Sequence, residues 1–217
     1  MRRLAGATCD GHAGWVSDQH LRDLEAAWQA SGSVEDEAAH LRARVRAGEL
    51  EQSELELAAY LGHEAASAAT GASGPEVSDF DGLLGFARGL ESFDRAVQVR
   101  AALAAVEGLS RSDSATRTYV QACVTAVRQW LLDPSQDQAL DAFWAGQRVA
   151  DYCGHAFNVY RTLGWTPCGI EAVAELLGWP AEARDEPVVS CLAECWQVLG
   201  LDVLEAVRAE LIPGALA

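Results

Sequence analysis

The sequence contains no lysine, and all sixteen basic residues of the 217-residue chain are arginine. Schiff-base chemistry and the phosphate-binding P-loop both depend on a lysine side chain, so both are excluded. The sequence also lacks a run of about 20 apolar residues, which a membrane-spanning helix requires. The segment MRRLAGATCDGHAGW has two arginines but no apolar stretch of roughly 7 to 15 residues behind them, so we expect no secretory signal. We therefore expect a cytoplasmic protein.

Acidic residues are twice as numerous as basic ones, 32 against 16, and the formal net charge is −16. A surface of this charge repels phosphate backbones and acidic lipids and attracts basic proteins. We therefore expect a protein partner with a basic surface, and neither nucleic acid nor a membrane as partner.

The six cysteines are irregularly spaced, which is not the pattern of a disulfide framework. We expect free thiols. Cys191 and Cys195 lie one helical turn apart, a spacing that also suits two metal ligands. They continue an apolar stripe with Val188 and Val198, however, and cysteine is among the most often buried residue types, so buried structural thiols are favoured.

Apolar residues recur at spacings of three and four along most of the chain, which predicts an all-α protein. In one stretch Ser33 provides an N-cap before Val34, and Gly48 provides a stop, so a helix is predicted over 34–47. The expected fold is a multi-helix bundle or a short helical array of about ten helices. The predicted helices lie near 18–30, 34–47, 53–61, 63–70, 80–90, 93–107, 114–132, 135–162, 169–178, 188–199 and 201–211.

The predicted organisation is an N-terminal tail over residues 1–16 and a single helical domain over 17–217. The segment TGASGPEVSD, residues 70–79, is rich in glycine, serine and proline. Such composition is typical of a loop or linker, so this segment is the candidate subdivision within the domain.

The order Tyr-x-Gly-His occurs twice, at residues 60–63 and 152–155. The packing interpretation is that each glycine permits a tight helix junction and that the histidine forms a hydrogen bond there. The alternative is a reactive or metal site near the second copy, in which Cys168 joins the set but no fourth metal ligand is evident. The residues of this alternative are Tyr152, Cys153, His155 and Cys168. Packing is favoured, and no cofactor or metal is expected.

Acidic residues cluster at 35–37 and 49–56, next to the starts of two predicted helices. Carboxylates at a helix N-terminus are ordinary compensation of the helix dipole. They also suit a surface that steers a basic partner into contact. The predicted steering residues are Glu35, Asp36, Glu37, Glu49, Glu51, Glu54 and Glu56.

Seven tryptophans are present, and three of them fall in or next to predicted loops. Large aromatic side chains outside the core stripes are candidates for anchors in a protein interface, although tryptophan at a helix end is as often half-buried. The candidate anchors are Trp15, Trp165 and Trp179.

The motifs G-x-S-x-G, H-E-x-x-H and G-x-G-x-x-G are absent from the sequence. No serine or cysteine lies beside an identifiable base in the sequence. We therefore expect a protein that is not an enzyme.

Four segments carry a resemblance to known proteins: DEAAHLRARVRAGELEQSELELAAYLGHEAA (36–66), VRAALAAVEG (99–108), AVRQWLLDPSQDQALDAFWAGQRVADY (126–152) and AVRAELIPGAL (206–216). The chain resembles a family of alanine-rich, all-helical, uncharacterised bacterial proteins that overlaps in pattern with domains described as immunity proteins. This resemblance implies a helical, cytoplasmic, non-enzymatic protein that binds and neutralises a toxin or another effector. Two alternatives stay open: a scaffold or adaptor subunit of a larger bacterial assembly, and a metal- or thiol-dependent enzyme.

Overall fold

The computed structural model describes residues 12–107, 109, 117–153, 158–168, 172, 173, 175, 177 and 186–217, with side chains from residue 18 onward except that of Cys153. These residues form eleven α-helices and one 3₁₀ turn, and no β-strand occurs among them. The protein is therefore all-α, as its periodicity predicts. No helix in the described ranges is both long and apolar enough to cross a membrane.

Eleven α-helices follow one another along the described parts of the chain. They are α1 (His12–Ser31), α2 (Val34–Ala47), α3 (Gln52–Tyr60), α4 (Glu64–Thr70), α5 (Phe80–Gly89), α6 (Arg95–Glu107), α7 (Arg117–Leu132), α8 (Gln136–Cys153), α9 (Asn158–Trp165), α10 (Pro187–Leu199) and α11 (Asp202–Leu216). The 3₁₀ turn, Leu90–Ser92, follows α5.

Three predicted helices differ clearly from those observed. The helix expected near 18–30 begins six residues earlier, because α1 starts at His12. The single helix expected over 135–162 is instead two helices, because α8 ends at Cys153 and α9 begins at Asn158. The last helix does not end near residue 211: α11 runs to Leu216 with Pro213 inside it. Most of the helix predicted over 169–178 lies outside the described residues.

The chain divides into two compact units, and the division falls between Ser73 and Gly74, inside the segment 70–79. The first unit comprises the described residues up to Ser73 together with Ala215–Ala217, and the second comprises Gly74–Gly214. Of the predicted tail over residues 1–16, the part from His12 belongs to α1 and the rest lies outside the described residues.

The first unit is built from α1 to α4. Helix α2 begins where the Ser33 hydroxyl accepts a hydrogen bond from the Asp36 amide, and it ends at Gly48, whose φ of 74° favours glycine. Helix α2 packs on α1 and α4, and α3 packs on α4. The core of this unit consists of buried leucine and alanine side chains, among them Leu41, Leu55, Leu57, Ala58, Leu61 and Ala66.

The end of the chain is held in the first unit by Arg44 of α2. Its guanidinium donates one hydrogen bond to the carbonyl oxygen of Leu216 at 2.7 Å and another to that of Ala217 at 2.9 Å. Leu216 is the last residue of α11 and Ala217 follows it, and carbonyl groups at a helix C-terminus have no helical partner. Arg44 therefore provides hydrogen-bond donors to the end of this helix.

The second unit is organised around α9, which contacts α6, α7, α8 and α10. Six of the eight residues of α9 are buried, so neighbouring helices cover most of the circumference of this helix. Its closest neighbour is α8, where Gly146 lies against Gly164 of α9. A side chain at either position would overlap the backbone of the other helix, so the two glycines permit the close approach.

Candidate functional site

The first predicted acidic cluster lies in the first turn of α2. Glu35 is exposed, whereas Asp36 and Glu37 are partly buried. The Asp36 carboxylate accepts a hydrogen bond from the Ser31 hydroxyl at 2.5 Å, and Glu37 Oε1 lies 3.5 Å from His63 Nε2. Asp36 and Glu37 therefore contact neighbouring residues and stabilise the start of α2, whereas Glu35 is exposed to solvent.

The second predicted cluster lies at the start of α3. Glu54 is partly buried, and its Oε2 accepts a hydrogen bond from the Glu51 amide at 2.9 Å, which caps the helix. The exposed Glu56 accepts a hydrogen bond from Gln52 at 2.8 Å. Glu49 and Glu51 are also exposed.

The two clusters therefore combine capping with exposed charge. Four of the seven predicted steering residues are exposed: Glu35, Glu49, Glu51 and Glu56. In the part of the chain that the structure describes, none of these four has an arginine or histidine nitrogen within 4.0 Å. Within those residues, no contact ion pair neutralises their charges.

The first Tyr-x-Gly-His segment is a helix junction, as the packing interpretation predicts. Gly62 has a φ of 90°, a conformation that favours glycine. His63 is the N-cap of α4, and its Nδ1 accepts a hydrogen bond from the Ala66 amide at 3.3 Å. Burial raises the pKa of Tyr60 to about 12, so its hydroxyl stays neutral at physiological pH. Gly154 and His155 of the second segment lie outside the described residues.

The predicted tryptophan anchors are placed differently from one another. Trp165 is 2% exposed, and its ring stacks on Phe143 with centroids 6.1 Å apart. This placement corrects the prediction for Trp165, because a ring inside the core has no surface to offer a partner. Trp15 lies in α1, but its side chain is outside the described set, as is the whole of Trp179.

The alternative set of Tyr152, Cys153, His155 and Cys168 is described only in part. Tyr152 is 70% exposed on α8, and Cys168 is half-buried in the turn after α9. The Cys168 thiol donates a hydrogen bond to the Ala139 carbonyl at 3.2 Å, and burial raises its pKa to about 11. Among the described residues no group of three histidine, cysteine or acidic side chains is placed to hold a metal ion.

Cys191 and Cys195 are free thiols, and both are fully buried in α10. The prediction of buried structural thiols is confirmed for this pair. The pKa of Cys191 is well above its ordinary value, chiefly because of the hydrogen bond with Cys195 and because of burial. Burial also raises the pKa of Cys123 in α7 to about 12. Thiols with such pKa values are poor nucleophiles at neutral pH.

A cavity of about 750 Å³ lies between the end of α7, the start of α8 and the turn that contains Cys168. This volume is in the range of small-molecule sites. Trp130 and Leu140 contribute apolar walls. The hydroxyl of Ser135, another lining residue, accepts a hydrogen bond from the Gln138 amide and caps α8. No histidine is among the described lining residues, so no nucleophile in this cavity has an imidazole base beside it.

A smaller cleft of about 430 Å³ lies between α1 and α2. His40 stacks on Trp28 with ring centroids 5.5 Å apart and is 7% exposed, and within the described chain its Nδ1 has no hydrogen-bond partner. The other lining residues include two arginines and three acidic side chains: Arg22, Arg44, Asp18, Glu25 and Glu49. With both signs of charge at the rim, the cleft selects neither an anion nor a cation.

Exposed aromatic residues lie on α7 and α8, and only Tyr152 among them is a candidate site residue from the sequence, as part of the alternative reactive or metal site. Trp144 is 50% exposed, and Tyr152 lies two helical turns further along the same face of α8. Tyr119 of α7 stacks on Tyr152 with centroids 5.1 Å apart, so the two exposed rings are held in one orientation. The spacing of eight between Trp144 and Tyr152 is the signal in the sequence, but that spacing fits a core stripe equally well.

One buried carboxyl group was also missed. Glu194 of α10 is half-buried, and desolvation raises its pKa to about 7 although Arg161 of α9 acts in the opposite direction. The Arg161 guanidinium lies over the Trp165 ring, 4.9 Å from its centroid. Glu194 lies on a largely apolar helix, and its partial burial results from the packing of α10 on neighbouring helices. The local sequence does not predict that packing.

Comparison of the chain with protein-family models, with curated proteins and with solved structures finds no match to any of them. The resemblance to alanine-rich helical bacterial proteins therefore stays a prediction.

Proposed function

We propose that this protein is a non-enzymatic helical interaction module that binds a basic protein through the acidic surface of its first unit. Neutralisation of a basic toxin or effector, as an immunity protein does, is the most specific form of this proposal. One observation carries it: Glu35, Glu49, Glu51 and Glu56 are exposed and have no ion-pair partner within the described residues. We refer to these four residues as the acidic surface.

Charge supports a basic partner. Between residues 12 and 73 there are eleven acidic residues and four arginines, so the first unit carries its own excess of negative charge. Long-range attraction between opposite charges accelerates encounter, and it is screened within roughly 8–10 Å at physiological ionic strength. The association rate of the complex is therefore expected to fall steeply as salt is added.

The described thiols give little support to a thiol enzyme. Cys123, Cys168 and Cys191 all have raised pKa values, whereas a reactive cysteine requires a lowered one. Cys123 and Cys168 each donate a hydrogen bond to a backbone carbonyl, which is a structural role.

The test is capture of partners from native lysate with three forms of the protein, washed at low and at high salt and identified by mass spectrometry. The surface variant combines Glu35→Gln, Glu49→Gln and Glu56→Gln, which leaves the capping residues Asp36 and Glu54 intact. The control variant combines Glu76→Gln, Asp133→Asn and Glu210→Gln, three exposed carboxylates of the second unit. Both variants lose the same net charge.

The expected result is one near-stoichiometric basic protein, bound by the wild type and the control at low salt, released at high salt and weakened at least tenfold by the surface variant. Equal weakening by both variants would show that overall charge matters rather than the acidic surface. A salt-independent association rate with the purified partner would contradict electrostatic steering.

A scaffold or adaptor subunit is the second candidate function. The exposed rings of Trp144 and Tyr152 favour it, because interfaces of stable assemblies are rich in such side chains. In this case the same assembly would be recovered at both salt concentrations, and Trp144→Ala would release it whereas the surface variant would not.

A further inference from the structure

The outer side of α7 and α8 forms a groove of about 690 Å³ with mostly uncharged walls. Helix α7 has sixteen residues and none of them is acidic, although the chain as a whole has 32 acidic residues. Small or neutral side chains line most of the groove, including Thr118, Ala122, Thr125 and Gln129. The charged lining residues are Arg117 and Asp141, and neither has an ion-pair partner in the described chain.

These two charges lie at opposite ends of the groove. Tyr119, near the start of α7, stacks on Tyr152 at the end of α8, so the two helices are antiparallel. Asp141 is in the second turn of α8 and is therefore level with the last turns of α7, whereas Arg117 is the first residue of α7. At a rise of 1.5 Å per residue, the two ends are about 15–20 Å apart along the helix axis.

We propose that this groove is the contact surface of a homodimer in which α7 and α8 of a second copy pack on it about a twofold axis. A twofold axis that lies in the plane of the contact and crosses the middle of the groove at right angles to α7 exchanges the two ends of the groove. Arg117 of each copy then lies opposite Asp141 of the other, so the two charged residues of the groove form two equivalent ion pairs across the contact. Ala122 lies near the middle, where a small side chain permits close approach of the helices.

Charge favours a second copy of this chain as the occupant. Two copies each carrying −16 repel one another wherever their carboxylates face. In the proposed dimer, α7 of one copy meets α7 of the other, and neither helix contains a carboxylate. The aspartate that lines the groove, Asp141, meets an arginine of the second copy. A strongly basic or strongly acidic partner would leave one end of the groove facing a like charge.

The experiment is sedimentation velocity of the full chain from about 1 µM to about 500 µM. A dimer with a dissociation constant in the micromolar range is populated over this range of concentrations. Four samples are compared: wild type, Arg117→Glu, Asp141→Arg and an equimolar mixture of the two variants. Each single variant opposes two pairs of like charges across the axis and is expected to dissociate at least tenfold more readily than wild type.

The mixture restores both ion pairs in a dimer of one variant with the other. The new glutamate of the Arg117→Glu copy faces the new arginine of the Asp141→Arg copy. At the other end of the groove, the native Arg117 of the second copy faces the native Asp141 of the first. Dimerisation in the mixture is therefore expected to return to the wild-type level, which separates this contact from general effects of charge or stability.

The control is Arg100→Glu, an exposed charge reversal in α6 at a position that does not line the groove, and it is expected to sediment as wild type. A wild-type monomer of 23.2 kDa throughout the concentration range would overturn the proposal. So would a dimer whose dissociation constant is unchanged in the two single variants, or a mixture that stays as weak as they are.

Discussion

Gly146 of α8 and Gly164 of α9 face each other so closely that neither position has room for a side chain. A Cβ on Gly146 would lie 2.8 Å from the Tyr160 carbonyl oxygen and 3.0 Å from the Gly164 Cα. Both obstacles are backbone atoms, which cannot rotate away. This contact sets the distance between the helix at the centre of the second unit and its closest neighbour.

Gly146→Ala is expected to lower the free energy of unfolding by roughly 1–3 kcal/mol, the usual cost of overpacking. Gly85→Ala in α5 is the control, because a Cβ there meets no atom within 4 Å and alanine favours helix. The control is expected to gain about 0.4–1 kcal/mol. Urea unfolding of both variants gives the comparison, and equal stability of the two would contradict the close contact.

Truncation of Trp165 is expected to destabilise the protein far more than truncation of Trp144. Trp165→Ala removes a core ring that stacks on Phe143 and is expected to cost about 3–5 kcal/mol. Trp144→Ala removes a half-exposed ring and is expected to cost less than about 1 kcal/mol. Thermal unfolding measures both. A mild effect of Trp165→Ala would mean that its ring is not part of the core.

His63 is expected to stabilise the first unit as a helix cap. His63→Ala removes the acceptor for the Ala66 amide and is expected to cost about 1 kcal/mol, whereas His63→Asn supplies another side-chain acceptor and is expected to cost a few tenths. The contact with Glu37 adds little, because both side chains are partly exposed. Chemical denaturation of the three proteins at one pH tests this, and equal losses for alanine and asparagine would argue against a capping role.

Glu194 is expected to make the protein less stable as pH rises from about 4.5 to about 7. Its pKa is higher in the folded state than in the unfolded chain, so the folded state binds the proton more tightly. The cost of burying its charge is absent below the unfolded pKa, grows as pH rises and is complete above the folded pKa. Glu194→Gln is expected to remove this contribution and to be more stabilising at pH 8 than at pH 5.

The measurement is urea unfolding of wild type and Glu194→Gln at the two pH values, with the exposed Glu210→Gln as control. The difference between wild type and Glu194→Gln is expected to grow with pH, and the control is expected to follow wild type. A difference that is the same at both values would show that Glu194 titrates as it does in the unfolded chain.

Cys168 and Cys123 are expected to resist alkylation in the folded protein. With pKa values of about 11 and about 12, only about one thiol in a thousand or fewer is deprotonated near pH 7.5. Iodoacetamide is expected to modify both more than about tenfold more slowly than in urea. Peptide mass spectrometry resolves the two sites, and Cys168 labelled at its unfolded rate would contradict the burial of its thiol.

Local signals in the sequence predict some elements closely. The bounds of α2, 34–47, follow from Ser33 before it and Gly48 after it, because capping depends on residues within one turn. Exposure of Glu35 is predicted for a similar reason, because a carboxylate in the first turn of a helix is favoured there. The same local rule does not predict that Asp36 and Glu37 of that turn are partly buried.

Contacts between distant residues explain what the sequence does not reveal. No proline interrupts the stretch predicted as one helix over 135–162, yet α8 and α9 separate and pack on each other through Gly146 and Gly164. Burial of Trp165 follows from that packing and not from its neighbours in sequence. The same holds for Trp144, since only the placement of α8 decides which of its faces meets solvent.

The two hydrogen bonds from Arg44 to Leu216 and Ala217 have a consequence for synthesis of the chain, because they join residues 172 and 173 positions apart. A ribosome adds roughly 5–20 residues per second, so Arg44 is made roughly 10–30 seconds before its acceptors. During that interval α1 to α4 have emerged, whereas the last three residues of their unit do not yet exist. The unit that is translated first is therefore among the last parts of the protein to mature.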